Sequence, residues 1–508
     1  MLDATPLLRA FARYRLNQLA YLDPAESQRK MLRGLVRTAR QTRFGRDHGF
    51  DRIVDVADFQ ARVPLRQYED FWDNYWKDAF PYVSEATWPG IAPYFAVTSG
   101  TTAGRSKYIP VTRAMLRSNA KAGVDLYAFH LRAHPDSRIL AGKSFMLGGS
   151  TRLVPEAPGV RSGDLSGIMV AEMPWFAQPR YFPSRDLALI EDWEEKVAHL
   201  AAGSLKERIT MIGGTPSWLL LFFEKLQAIA PNRTLADIYP DLELLVHGGV
   251  SFAPYRDRFA EVCAGTRASF REVYPASEGF IALADDAPEA GLRLSLDHGI
   301  FFEFVPVSEL GSPTPVRHWI DTVEIGVDYA VAVSTCAGLW AYLIGDTVTF
   351  RDRHPARVEI TGRTAQMLSA FGEHVIVSEL DRAITHAAEA TQCAVRDYAV
   401  GALYPGGNAS QGRHLVIVEF EPESPLPDPA RFAALFDGAL QEDNDDYRAH
   451  RSGDYGVALP EILIGKRGIF AAWMKRRGKL GGQNKVPRIL TDPALFADLR
   501  SFVTARRA

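Results

Sequence analysis

Thr98, Ser99, Thr101 and Thr102 surround Gly100 in the stretch VTSGTTAGRSKYIPVT, Val97 to Thr112, and Gly104, Arg105 and Lys107 follow closely. Glycines let backbone N–H groups approach a polyanion, hydroxyls add further donors, and the two cations add charge. The chemistry suited to that combination is the cradling of phosphate. The loop is not a P-loop, because Arg105-Ser106-Lys107 follows Gly104 where a Walker motif has Gly-Lys-Ser/Thr. A solvated turn has a similar composition, so the rest of the chain must decide.

Three further motifs carry charge at positions that suit a nucleotide. In YPASEG, Tyr274 to Gly279, Glu278 follows an apolar run that includes Val273. A carboxylate at a strand end beside the small residues Ala276 and Ser277 suits Mg²⁺ or a water held near phosphate. In YLIGD, Asp346 follows a strand and a glycine and can accept hydrogen bonds from both ribose hydroxyls, although a turn aspartate looks the same. Arg363 ends TGR, just before FGEH, where an arginine at a domain boundary can reach a nucleotide in one domain orientation. Lys485 lies in the basic, glycine-rich tail KRRGKLGGQNKVPRI, with Lys479 a rival six residues upstream.

These groups need a scaffold. The first fifty residues have a helical pattern. ITMIGG (Ile209 to Gly214) reads as a buried strand, followed by a helix with Thr215 at its N-cap and Pro216 at its first position. LELLVHGG (Leu242 to Gly249) reads as a second buried strand, ending in Gly248 and Gly249, and FREVYPASEG follows one more helix. Apolar strands alternating with amphipathic helices predict an α/β fold with parallel strands. From Gly299 the pattern becomes strand-rich, through IFFEFVPV, VEIGVDYAVAVST and LWAYLIGDTVTF, which predicts a β-barrel or distorted sheet in the same domain. The expected division is 1–363, a large N-terminal domain, and 364–508, a small α+β domain containing the strand LVIVEFEP.

The 508 residues, 47% hydrophobic and 23% charged, are ordinary for a globular protein, and a net charge of −3 gives no reason to expect nucleic acid or a membrane surface. Three cysteines, Cys263, Cys336 and Cys393, form no CxxC pair and read as buried thiols. The densest apolar run, WLLLFF, is far shorter than the ~18 residues that span a bilayer. The expectation is a soluble cytoplasmic protein, a monomer or homodimer.

Each motif is weak alone, but their order is that of adenylate-forming enzymes such as acyl-CoA ligases and luciferase. Within that group the sequence resembles the Gretchen Hagen 3 family of acyl acid amido synthetases, especially its bacterial branch. TSGTTAGRSKYIPVT, YPASEG, FFEFVP (Phe301 to Pro306), YLIGD and GQNKVPRI carry the resemblance, with TRFGRDHGF and FQARVPLRQYEDF near the N-terminus. It runs nearly end to end.

The resemblance implies a large adenylate-forming domain, a small mobile C-terminal domain and a two-step reaction. A carboxylic acid attacks the α-phosphorus of ATP, releasing pyrophosphate, and an amine, usually that of an amino acid, then takes the acyl group. It implies that Thr98, Ser99, Gly100, Thr101, Thr102 and Lys107 serve the phosphates, and that Val273, Tyr274, Ala276, Ser277 and Glu278 wrap the adenine and α-phosphate, with Glu278 on Mg²⁺. Phe301 stands where relatives have an aromatic near the nucleotide. Asp346 would hold the ribose, Arg363 act at the hinge, Lys485 reach the phosphates, and Gly248 and Gly249 admit the adenine. Two departures stand out. Plant members usually have arginine in the third motif, where this chain has Leu343, and Ser-Ser-Gly-Thr-Ser in the first. The hydroxyls are kept, so phosphate binding is expected to survive. The rival readings are an acyl-CoA ligase with a thiol acceptor and a non-catalytic ATP-binding regulator. A serine hydrolase is disfavoured because no G-x-S-x-G elbow is present.

Overall fold

The computed structural model describes residues 2–98, 107–148, 152–188, 190, 193–249, 252, 255–364, 368, 375–403, 412–444, 447–448, 451, 457–479 and 485–506. The chain forms two compact units, one of Met1–Val250 with Arg258–Glu359, the other of Ser251–Asp257 with Ile360–Ala508. The chain therefore crosses between them at 250/251, 257/258 and 359/360.

The first unit is organised by a twelve-stranded sheet. Lys143–Leu147, Ile209–Gly214, Leu244–Gly248 and Ser269–Ala276 are parallel neighbours, with Tyr181–Phe182 at the edge. Ile209 to Gly213 and Leu244 to His247 are all buried, as expected of parallel strands covered on both faces, and this is why they read as mainly apolar runs, with Thr210 and His247 the polar members. The helix Pro216–Ile229 follows the first of these runs with Pro216 in its first turn. Thr215 takes the extended N-cap conformation but its side chain makes no capping bond.

After Ala276 the sheet changes character. Ser277 and Glu278 form the turn of a tight hairpin in which Ala276 pairs with Gly279. Gly279–Leu283, Leu292–Leu294, Ala356–Arg363, Tyr342–Arg353, Asp328–Thr335, Ile300–Pro306 and His318–Trp319 continue the order to the other edge. The strand-rich region after Gly299 thus takes the distorted-sheet alternative, joined to the parallel strands as one ladder. A separate four-stranded sheet holds the hairpin of Tyr94–Thr98 and Lys107–Val111 beside Val160–Gly163 and Leu153–Ala157. Thr112 caps the following helix, Arg113–Ala133, its hydroxyl accepting from the Met115 N–H at 3.2 Å.

The second unit has a four-stranded sheet ordered Val457–Gly465, Gly412–Phe420, Val395–Leu403, Ile489–Leu490. Alternate residues face two cores. Val416 and Val418 pack with the helices Val377–Ala390 and Pro429–Asp443. Leu415 and Ile417 pack with Ile469–Arg476 and Pro493–Thr504. Side chains alternate across a strand, so a strand buried on both faces is mainly apolar, as LVIVEF is; its one charge, the buried Glu419, accepts from the Gly468 N–H at 2.7 Å.

Candidate nucleotide site

The phosphate-loop motif begins and ends on a β-hairpin: Thr98 and Lys107 are register partners, and Ser99, Gly100, Thr101 and Thr102 lie outside the described residues. The Lys107 ammonium lies 5.7 Å from the centroid of the Tyr68 ring, and the Tyr108 N–H donates to the Tyr68 hydroxyl at 2.9 Å. Two residues before Tyr68, Arg66 forms a bridge to the YLIGD strand. Its N–H donates to Ala341 O at 3.0 Å, and the Leu343 N–H donates to Arg66 O at 2.9 Å. The loop and the aspartate motif are therefore tied through one short segment.

Arg66 also defines a histidine. Its Nη2 lies 2.8 Å from His48 Nε2, and a guanidinium only donates, so Nε2 accepts. Nδ1 then carries the proton and donates to Phe44 O at 2.8 Å. Burial, aided by the Arg66 charge, lowers the His48 pKa.

Asp346 sits in a bulge. Ala332 pairs with Leu343 but Ala330 pairs with Thr347, so the YLIGD strand carries extra residues, and Gly345 is left-handed at φ +86°. Bulges re-aim side chains, and a residue with a Cβ would be strained at that φ. The half-buried Asp346 carboxylate meets the Tyr274 phenol, which donates to Oδ2 at 2.6 Å across 72 residues of sequence. Tyr274, only 5% exposed, extends beyond Val273, the partner of Gly248 where the neighbouring parallel strand ends. Ligands of open α/β sheets bind outside these carboxyl ends.

The remaining positions divide. Ala276, Ser277 and Glu278 are half-buried at the hairpin tip, and Gly249 is exposed just past its strand. The Val273 side chain belongs to an apolar cluster with Leu126, Phe129 and Leu244, so its backbone is the part beside the strand end. A Cβ on Gly248 would stand 2.2 Å from Val273 O, which gives the glycine an intramolecular reason. Phe301 is fully buried, edge-on to Phe59 at 5.9 Å, in a strand whose residues are all buried. Arg363 and Lys485 belong to the second unit, half-buried and exposed respectively, and Lys479 there donates its N–H to Met474 O at 2.9 Å. Trp175, in the aromatic stretch from Met173 to Phe182, is 81% exposed. Burial pushes the thiols of Cys263 and Cys336 up to about 12, so neither is a thiolate nucleophile at neutral pH.

One polar cluster has no sequence motif. Arg15 bonds both oxygens of Asp125 and both of Asp297, Lys121 Nζ lies 2.7 Å from Asp297, and His298 lies between the two aspartates. Among the described residues, Asp125, Asp297 and His298 are the one histidine–carboxylate group close enough for a cation. Arg15 and Lys121 already neutralise it, which makes it a structural ion cluster. In the sequence Arg9, Arg13 and Arg15 interrupt the apolar stretch LLRAFARYRLNQLAYL, but nothing there names their partners.

The architecture, a large α/β unit and a small α+β unit, is shared with solved enzyme structures. The acyl acid amido synthetase AtGH3.15, in complex with 2,4-DB, has a similar structure, with a TM-score of 0.80 at 19% identity, covering 97% of this chain and 96% of that one. A 2-hydroxyisobutyryl-CoA ligase in its postadenylation state gives 0.61 at 15% identity, over 94% and 91%. In sequence, the GH3 family N-terminal domain matches residues 16–268, the central domain 294–363 and the C-terminal domain 378–494. The chain belongs to the GH3 family. A probable indole-3-acetic acid-amido synthetase of Oryza sativa subsp. japonica is 29% identical over 221 residues, 40% of this chain. The chain spans about half the length of that relative, 49%.

Proposed function

We propose that the protein is an ATP-dependent acyl acid amido synthetase. It adenylates a carboxylic acid, releasing pyrophosphate, and transfers the acyl group to the amine of an amino acid, releasing AMP. The observation that carries this reading is the 2.6 Å bond from Tyr274 to Asp346. It sets the Y-x-x-S-E and Y-x-x-G-D motifs side by side at the carboxyl end of the parallel strands. Family membership supports the same reading.

The first step needs no protein nucleophile, because the substrate carboxylate attacks phosphorus; the protein supplies position and charge. In this reading Thr98 to Thr102 and Lys107 hold the β- and γ-phosphates, Gly248, Gly249 and the segment Val273 to Ser277 flank the adenine and α-phosphate, and Asp346 accepts from the ribose hydroxyls. Phe301 backs the nucleotide pocket from the core. Arg363, at the end of the expected N-terminal domain 1–363, serves the hinge, and Lys485, from the small domain, serves the phosphates. Glu278, half-buried at a hairpin tip, offers the hard oxygen that Mg²⁺ takes alongside phosphate oxygens and water, so the donor chemistry fits. When bound, the ion would neutralise charge on the departing pyrophosphate. A cytoplasmic location is part of the same proposal; among the described residues no helix is long and apolar enough to cross a membrane.

The test is ATP–pyrophosphate exchange over a panel of carboxylic acids, followed by presentation of preformed acyl-adenylate to amino acids and to coenzyme A. Acid-dependent exchange and an amide product are expected. Exchange with a thioester product would replace the second step with that of an acyl-CoA ligase. Absence of exchange with any acid would return the protein to the non-catalytic ATP-binding reading.

A further inference from the structure

Asp346 emerges from a bulge, not from a regular ladder, and a bulge re-aims a side chain without fixing the plane of its carboxylate. A carboxylate must present its oxygens in one plane to accept from two vicinal hydroxyls at once. Rotation about the Cβ–Cγ bond would spoil that arrangement.

We propose that Tyr274 is a positioning residue for nucleotide binding: its phenol holds the Asp346 carboxylate in the plane that meets the ribose hydroxyls. The inference rests on the reading that Asp346 binds ribose. Three observations support it. The bond is short, 2.6 Å, in the range of O–H donors to an ionised acceptor. The phenol is on a rigid platform: Tyr274 is 5% exposed and lies in a strand with ladder neighbours on both sides. A carboxylate has about four lone-pair sites, and the phenol takes one, so the same Asp346 can bond Tyr274 and a diol. A tyrosine in YPASEG thus acts on the group that YLIGD supplies, and the two motifs form one unit.

The experiment uses the full chain with Mg²⁺ and compares calorimetric affinities for ATP and 2′,3′-dideoxy-ATP. Tyr274→Phe removes one oxygen atom. It is expected to weaken ATP about tenfold, as loss of a hydrogen bond to a charged group does, and to leave the dideoxynucleotide within about twofold. A merely structural loss weakens both nucleotides alike. Asp346→Asn keeps the side-chain shape, provides a second variant, and must also weaken ATP while sparing the dideoxynucleotide. If Tyr274→Phe weakens both equally, or neither, while Asp346→Asn still discriminates, the positioning role is overturned and the ribose reading stands. If Asp346→Asn also fails to discriminate, the ribose reading itself falls.

Discussion

Arg15 Nε and Nη2 each lie 2.7 Å from an oxygen of Asp125, a residue 110 positions away in the chain. Both side chains are buried, and the same guanidinium spans the two oxygens of Asp297 at 2.8 Å. The bonds pin the first helix, Thr5–Ala20, to the helix that follows the phosphate-loop hairpin. Arg15→Met leaves the buried Asp125 and the half-buried Asp297 short of a cation and should cost about 3 kcal/mol in chemical denaturation. A variant as stable as the native chain would show that the cluster carries no net stability.

The cluster also has a predictable pH window. Burial disfavours a charged His298, but Asp125 and Asp297, 3.0 and 3.1 Å away, outweigh it and raise its pKa. A raised folded pKa gives stability that is full below the unfolded value, about 6.5, and is lost as pH rises toward and through the folded one. Burial likewise opposes ionisation of Asp125 and Asp297, yet Arg15 and His298, with Lys121 at Asp297, hold both below their ordinary value. Their contribution is present above about pH 3.9 and lost as pH falls. Melting curves of the native chain and His298→Gln should therefore differ most between about pH 4 and 6.5 and converge on going alkaline. A gap that stays constant from pH 6 to 9 would contradict this.

Glu278→Gln keeps the shape of the hairpin tip and removes the charge offered to Mg²⁺. Acid-dependent pyrophosphate exchange should fall about 10²-fold or more. Native rates at saturating ATP and Mg²⁺ would withdraw the metal-ligand role.

Gly248→Ala tests which need the glycine serves. Its Cβ would meet the Val273 carbonyl oxygen at 2.2 Å, a backbone atom inside a parallel ladder. Overpacking of that kind costs about 2 kcal/mol, so the denaturation midpoint should drop without any nucleotide present. Loss of ATP affinity with unchanged stability would favour the adenine as the close neighbour.

Lys485→Ala separates the half-reactions. It should slow acyl-adenylate formation strongly and leave amide formation from synthetic acyl-adenylate nearly unchanged. Equal losses in both steps would point elsewhere, and the same selective loss at Lys479→Ala alone would move the role upstream.

The local features were the legible ones. Ile209–Gly214 and Leu244–Gly248 were readable because strands buried on both faces are mainly apolar. Pro216 marked a helix start for an equally local reason. The long-range partnerships were not legible. Nothing in YPASEG names Asp346, and nothing around Arg15 names Asp297, because side-chain pairing across a sheet depends on register and bulges that composition does not encode. Phe301 shows the same limit: an aromatic in a motif and an aromatic in a core look alike until the strand's burial is known. Tyr255 was passed over for that reason too, although its hydroxyl accepts from Arg488 Nη2 at 3.2 Å within the second unit.

That last bond bears on how the protein can be cut and rejoined. The small unit is stitched from two stretches, and the shorter one, Ser251–Asp257, is encoded in the middle of the large one. Arg488 also bonds Asp397, and its guanidinium lies 4.4 Å from the Tyr398 ring centroid, so Tyr255 completes an already crowded set of partners. A chimera that exchanged everything after Glu359 with a relative would import a new Arg488 environment against an old Tyr255. Recombination between family members therefore needs two grafts, the seven-residue insert together with the C-terminal stretch. Shuffling at a single junction mismatches a half-buried cation.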